Sequence, residues 1–532
     1  MGSLLQGHRV ILAFLVLGLA LVPGWMLRKR RVRLPRRPRY AVAIVAAVAM
    51  ANQVLLLLLF GPPIPQVHDE FGYLLAGDTF ARGRLTNPTP AMWPHFQTMH
   101  ELFQPTYMSK YPPGQGLVLA VGQMLFGAPW VGAAIACVLA CAILTWALAG
   151  WTRPRWALLG GLLAAVHPMI LYWGHSYWAG CIVMLGGSVA LGSLGRILHG
   201  RATGWAATLL GIGGGILMFS RPYEAFVWGL LAATTLLWIF YRRSVRPHIV
   251  LLPAIAAILP FVGMHLYYDW RVTGGPLLMP YTAYTRMNAT DPLFFGEPMP
   301  TPPYQPNPQL RRMAEVEHSH FMKQTTLRGW ATELLAKGYA FFHWHLMHSP
   351  AVLLGVVLFP LTLSRVRSRW LLIYAVGFVA GYAVIPWFMP HYTGAVVPIL
   401  FAVAVQGLRR TYLWRPRWGA WVVVLVAMLC LPNLAWFYIS FGDQVEPWAV
   451  ERDRIEKKLS TEPGGQLVIV HYADDHIVHH EWVFNGGDID SQKVIWARHL
   501  SDAQDRELIA HYADRYVWLL DADQAPPAIH SQ

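Results

Sequence analysis

Long apolar runs separated by short arginine clusters constrain this fold more than any motif does. The run 40–60 is apolar over about 20 residues, the length of helix that crosses a hydrocarbon core of about 30 Å. Hydrophobic residues make up 55% of the 532 and charged residues only 13%, outside the range of soluble domains. The pattern is that of a polytopic membrane protein. A formal charge of +14 does not point to nucleic acid here, because the basic residues lie in short runs between apolar segments and report topology. Cys137, Cys141, Cys181 and Cys430 all fall inside apolar runs, so they do not reveal a redox compartment.

The run Arg28-Lys29-Arg30-Arg31, with Arg33, Arg36, Arg37 and Arg39, separates the apolar stretch 9–27 from 40–60 and is cytoplasmic by the positive-inside rule. The stretch 9–27 reads as a retained helix, since its basic cluster follows it and no Ala-x-Ala cleavage pattern appears near Pro23-Gly24. The basic loops at Arg153/Arg155, Arg196/Arg201, Arg242/Arg243/Arg246, Arg365/Arg367/Arg369 and Arg409/Arg410/Arg415/Arg417 can all be cytoplasmic at once. That needs helices near 129–150, 157–173, 176–195, 205–219, 223–240, 249–268, 350–364, 370–388, 394–408 and 419–438, about twelve with the first two. The run Gln115–Phe126, about 18 Å as a helix, is expected to be interfacial or re-entrant.

This threading gives an all-α membrane fold with interfacial helices in the first periplasmic loop and a small C-terminal α/β domain. Its expected divisions are 1–39 (first helix and basic linker), 40–440 (catalytic membrane domain) and 441–532 (periplasmic domain). Strands are expected at Gln466–His471, Lys493–Ala497 and Tyr516–Leu520, with an amphipathic helix at Asp502–Tyr512. The Pro-rich stretch 298–308 reads as extended loop, and the glycines of 211–215 as close helix packing, not a phosphate-binding loop.

The chemically unusual residues then share the non-cytoplasmic face. Asp69 and Glu70 open a short helix that Gly83 can end; acids favour a helix N-terminus, and ionisable groups at a bilayer boundary often carry function. Lys110-Tyr111-Pro112-Pro113-Gly114 holds an extended lead-in to the interfacial helix, with Lys110 as snorkelling lysine or phosphate anchor. In Arg221-Pro222-Tyr223-Glu224 the arginine has Glu224 or a phosphate as partner. His391-Tyr392 forms an aromatic-polar corner, and His68 is read as orienting or packing. The histidine-rich stretches (His318 and His320; His343, His345 and His348; His471, His476, His479 and His480) lack regular ligand spacing with a supporting carboxylate. No metal site is assigned; the sequence allows a divalent cation without indicating one.

Over roughly 40–410 the order of these motifs resembles the GT-C superfamily of membrane glycosyltransferases, in the style of bacterial relatives of protein O-mannosyltransferases and aminoarabinose–lipid A transferases. The carriers are Asp69-Glu70, the Lys110 motif leading through Leu125-Phe126-Gly127, and the corners at Arg221 and His391. The resemblance implies a multi-pass protein of the bacterial inner membrane that takes a polyprenyl-phosphate-linked sugar and passes it, with inversion, to an acceptor glycan, lipid or protein in the periplasm. By the same analogy Asp69 is the base, with Glu70 beside it. Lys110 and Arg221 bind the donor phosphate, and Tyr111, Tyr223, Glu224, His391 and Tyr392 line the substrate site. The other readings are a transporter or flippase for a lipid-linked or anionic substrate, and a non-catalytic scaffold acting through its C-terminal domain. No paired halves are seen, which argues against transport.

Overall fold

The computed structural model describes residues 37–531 except 201–203, 244, 289–293, 295–306, 415 and 525. The expected helix at 9–27, most of the first basic linker and most of the Pro-rich stretch 298–308 lie outside the described residues.

Six helices are long and apolar enough to cross a membrane: Pro38–Phe60, Pro129–Trp151, Gly180–Leu198, Pro222–Arg242, Pro247–Thr273 and Trp418–Gln444. Two bent pairs, Pro154–Ala165 with Pro168–Gly174 (64°) and Leu327–Met347 with Pro350–Thr362 (116°), raise the number to eight if each is one span. The chain is a multi-pass membrane protein, and the described residues do not reproduce the count of twelve. Proline sets both bends. A residue before proline is pushed out of the α region, and His167 (ψ 123°) and Ser349 (ψ 80°) both leave it. The segment 327–347, for which the sequence reading placed no helix, is helical, and its Lys337 is buried and donates through Nζ to the carbonyl oxygens of Ile385 (2.6 Å) and Tyr382 (3.4 Å). Leu252, Ile255, Leu259 and Met264 stand exposed along Pro247–Thr273, as residues covered by lipid tails do.

The chain divides into two compact units. The first comprises the residues up to Pro62, with Ala133–Gly263 and Arg328–Gln444, and is helical. The glycine run works there as expected from its composition: a Cβ on Gly211 would lie 2.2 Å from the Ala254 carbonyl oxygen, so only glycine lets these backbones approach.

The second unit comprises Pro63–Gly132, Met264–Leu327 and Val445–Gln532. Helix His68–Ala81 packs on helix Pro113–Phe126, where a Cβ on Gly116 would meet that of Ala76 at 2.6 Å. Pro113 starts the second of these helices and Gly127, at φ 68°, ends it. The strand order is Val494–Arg498, Gly465–His471, Arg515–Asp521, Ala528–Ser531; the first three are parallel and the last is antiparallel. Alternation along the strands serves two cores. Val468, Val470, Val494 and Trp496 pack with Trp448, Trp482 and Phe71, while Leu467, Ile469, Ile495 and Ala497 pack with Leu508, Tyr512 and Leu75. Phe71 and Leu75 belong to the helix that begins at His68. The sheet and that helix therefore share cores, tied further by Asp78, which accepts hydrogen bonds from Gln123 Nε2 and the Gly487 amide, both at 2.8 Å.

Candidate active site

Asp69 lies in the first turn of helix His68–Ala81, where its charge favours the positive end of the helix. Its side chain is only 18% exposed. Tyr111 donates its hydroxyl to Asp69 Oδ1 at 2.5 Å. On the other oxygen, Oδ2, His68 Nδ1 approaches to 3.3 Å and His100 Nε2 to 3.5 Å. Burial alone would raise the Asp69 carboxyl, but the imidazoles beside it, His100 first and then His68, outweigh it and hold the group well below the usual carboxylate range. Burial, and next the neighbouring Lys110, push His100 down to about 3. We read the pair as a carboxylate and a neutral imidazole.

His100 reaches Asp69 through an unusual backbone. It takes φ 65°, the left-handed region that a residue with a Cβ rarely occupies. It immediately precedes a short hairpin, Glu101–Leu102 against Met108–Ser109, that returns the chain to Lys110. The Lys110 amide donates to the His100 carbonyl at 2.9 Å, and the His100 amide donates to Tyr284 Oη at 3.1 Å. Strain of this kind persists where surrounding contacts over-determine it.

Lys110 is almost buried, 6% exposed. Its ammonium lies 4.7 Å from the Tyr284 ring centre, 4.9 Å from that of Tyr281 and 5.5 Å from that of Tyr111. Burial lowers its pKa, while the charges of Glu317 and Asp69 act the other way. Helix Pro308–Lys323, capped by Asn307 Oδ1 accepting from the amides of Gln309 (3.0 Å) and Leu310 (3.4 Å), carries Glu317.

Glu70 is occupied differently: it is buried, and its Oε2 accepts the Gln66 amide at 2.8 Å, closing the turn before the helix. The remaining expected site residues belong to the first unit. Arg221 donates to Glu224 Oε1 through Nε (3.1 Å) and Nη2 (2.9 Å) and lies 3.5 Å from the Tyr392 ring centre. Tyr223 donates to the Gly381 carbonyl at 2.6 Å, and His391 stacks on Trp178 with centroids 4.3 Å apart.

Among the described residues His68, Asp69 and His100 are the group whose ligand atoms, all within 4.8 Å of one another, can hold a metal ion. His68 Nδ1 is buried and makes no hydrogen bond among the described residues, although Asp69 Oδ2 is beside it. Separations of 3.3 and 3.5 Å match the edge of a tetrahedron with bonds of about 2.1 Å, and two imidazoles with a carboxylate suit zinc or manganese. The donor set fits a divalent ion. This differs from the sequence reading, which looked for ligands in the histidine-rich stretches. Of those histidines, His479 joins the group from the C-terminal segment, its Nδ1 3.0 Å from His68 Nε2. Neither His100, with its partner Tyr284, nor the groups Tyr281 and Glu317 that act on Lys110 stood out in the sequence, because what unites them is a left-handed turn and segments some 200 residues away.

Comparison with solved structures bears on the architecture. The oligosaccharyltransferase AglB from Archaeoglobus fulgidus, in complex with an inhibitory peptide and a dolichol-phosphate, aligns over 91% of this chain and 69% of its own, with TM-score 0.50 and 12% identity. Its complex with Zn and sulfate gives 0.51 at 11% identity, over 90% and 68%. The chain has the GT-C fold. ArnT from Cupriavidus metallidurans bound to undecaprenyl phosphate aligns over 94% of this chain and 93% of its own, with TM-score 0.49 and 14% identity. No family model and no curated protein matches the chain.

Proposed function

We propose that this GT-C protein is a membrane glycosyltransferase that moves a sugar from a polyprenyl-phosphate donor to an acceptor hydroxyl on the non-cytoplasmic face of a bacterial inner membrane. The observation that carries the reading is Asp69: an anionic, mostly buried carboxylate oriented by Tyr111 and His100, near the buried cation Lys110. The oligosaccharyltransferase structure named above contains dolichol-phosphate, which supports a lipid-linked donor.

In the proposed reaction the acceptor oxygen attacks the anomeric carbon, the bond from that carbon to the lipid phosphate oxygen breaks, and the configuration inverts. The acceptor proton passes to Asp69. A carboxylate of lowered basicity suffices, because the hydroxyl becomes acidic only as the new bond forms. Lys110 offers charge to the departing phosphate, which favours the transition state as charge develops there. The tyrosines around it keep water away and hold its position. His68, Asp69 and His100 are the residues that would hold a divalent ion, which when bound supplies Lewis-acid stabilisation of phosphate charge. Arg221 remains a proposed phosphate-binding residue, and Tyr223, Glu224, His391 and Tyr392 proposed substrate-binding residues, of the first unit.

The test is transfer by purified full-length protein in liposomes, with lipid-linked sugars extracted from the source membranes. Transfer by wild type and its loss in Asp69→Asn at unchanged thermal stability is the expected result. Undiminished turnover in Asp69→Asn removes Asp69 as base, and comparison of surface glycans from a deletion strain identifies the acceptor. Metal analysis of wild type and His100→Ala separates a ligand role from a hydrogen-bonding one.

A further inference from the structure

The first unit contains a polar cavity of about 380 Å³ lined by none of the residues assigned to transfer. Arg365, Arg367 and Arg409 line it with His199, Ser368 and Gln406, and no acidic side chain among the described residues does. Arg409 also experiences the charges of Arg153 and Arg155. This much like charge gathered around one cavity is unfavourable unless an anion offsets it.

Two further features point to the kind of anion. Arg365, Val366, Arg367 and Ser368, the N-cap and first turn of helix Val366–Tyr382, line the cavity, and a helix N-terminus favours an anion. Ser368 in that turn lines the cavity and is 1% exposed, and its buried hydroxyl has no hydrogen-bond partner among the described residues. A buried hydroxyl left unmatched is destabilising, and an oxyanion beside it would remove that penalty. Guanidinium groups, a serine hydroxyl and helix N–H groups are together the donor set of a phosphate site. Arginines of this kind mark cytoplasmic loops, and basic pockets between membrane helices on that side suit anionic lipid head groups.

We propose that this cavity binds the phosphate of an anionic membrane lipid on the cytoplasmic face, separately from the Asp69 site. The proposal does not depend on the transfer reaction.

Full-length protein in detergent is mixed with equal amounts of phosphatidylglycerol and phosphatidylcholine and examined by native mass spectrometry. The expected result is preferential retention of phosphatidylglycerol. In Arg365→Gln/Arg409→Gln the preference falls about tenfold or more, as loss of charge-assisted hydrogen bonds predicts. Ser368→Ala, which removes only the hydroxyl, lowers it a few-fold, and Arg409→Lys keeps most of it. Inorganic pyrophosphate is added in a parallel arm. A thermal shift with pyrophosphate that the double variant loses, without lipid preference, makes the source a soluble phosphate and overturns the lipid assignment. Equal retention of both lipids with no pyrophosphate shift, or a double variant that behaves as wild type, overturns the site itself. Should the double variant not fold, wild-type preference in Ser368→Ala does so.

Discussion

Arg221 and Lys110 are two cations with opposite surroundings. Arg221 has a carboxylate partner within its own helical turn, held through two nitrogen atoms, and a tyrosine ring against its guanidinium. Lys110 is buried among the rings of three tyrosines, with Glu317 and Asp69 acting on it through their charge. A matched ion pair resists rearrangement, whereas an ammonium held in an aromatic cage keeps its charge available to an incoming anion.

Substitutions can break or sharpen this comparison. The largest effect is expected for Asp69→Asn, with turnover reduced by about 10²–10⁴-fold, the usual scale for a lost acid–base group, and a melting temperature within a few degrees of wild type. A melting temperature that collapses with activity would make Asp69 structural. Lys110→Met is expected to lower kcat by about 10²-fold, as when one stabilising donor to a developing anion is lost. If KM rises while kcat stays level, Lys110 binds donor without favouring the transition state. Glu224→Gln removes the charge paired with Arg221 and is expected to cost about 1–3 kcal/mol of stability in a denaturation measurement, a larger stability change than Lys110→Met causes. The reverse order would erase the distinction between the two cations. The smallest effect is Asn307→Ala, about 1 kcal/mol from a lost helix cap; because helix Pro308–Lys323 carries Glu317, hydrogen exchange should quicken there first.

The legible parts of the molecule are those set by local sequence. Helix His68–Ala81 follows from two acids at its start and Gly83 after its end, and the lead-in to Pro113–Phe126 from consecutive prolines. Strands Gly465–His471, Val494–Arg498 and Arg515–Asp521 follow from short buried runs. Helix Leu327–Phe342 escaped because Arg328, Glu333 and Lys337 lower its apolar content, although carbonyl groups satisfy Lys337 once folded. Prolines divide two apolar stretches into bent pairs, which a sum of hydropathy does not register. Within the site, Asp69 and Lys110 stand beside recognisable helix signals. His100 and His479 do not, since a positive φ and a loop some 400 residues away leave no local pattern. Deleting 441–532 is therefore a poor way to ask what the C-terminal segment does, as it would expose Phe71 and Leu75 on the helix that carries Asp69.

That shared core also has a consequence in time. Segment 63–132 is synthesised early, yet Phe71 and Leu75 find their partners in Val468, Trp482, Ile495 and Leu508, made after most of the membrane helices. Burying a side chain such as Phe71 contributes about 1.5–3 kcal/mol, and a nascent chain still lacks that contribution while its later helices are being inserted. The Asp69 helix reaches its final packing only when the C-terminal segment has been delivered to it. A ribosome that stalls after residue 440 would leave a membrane-inserted chain whose candidate base is present and unsupported.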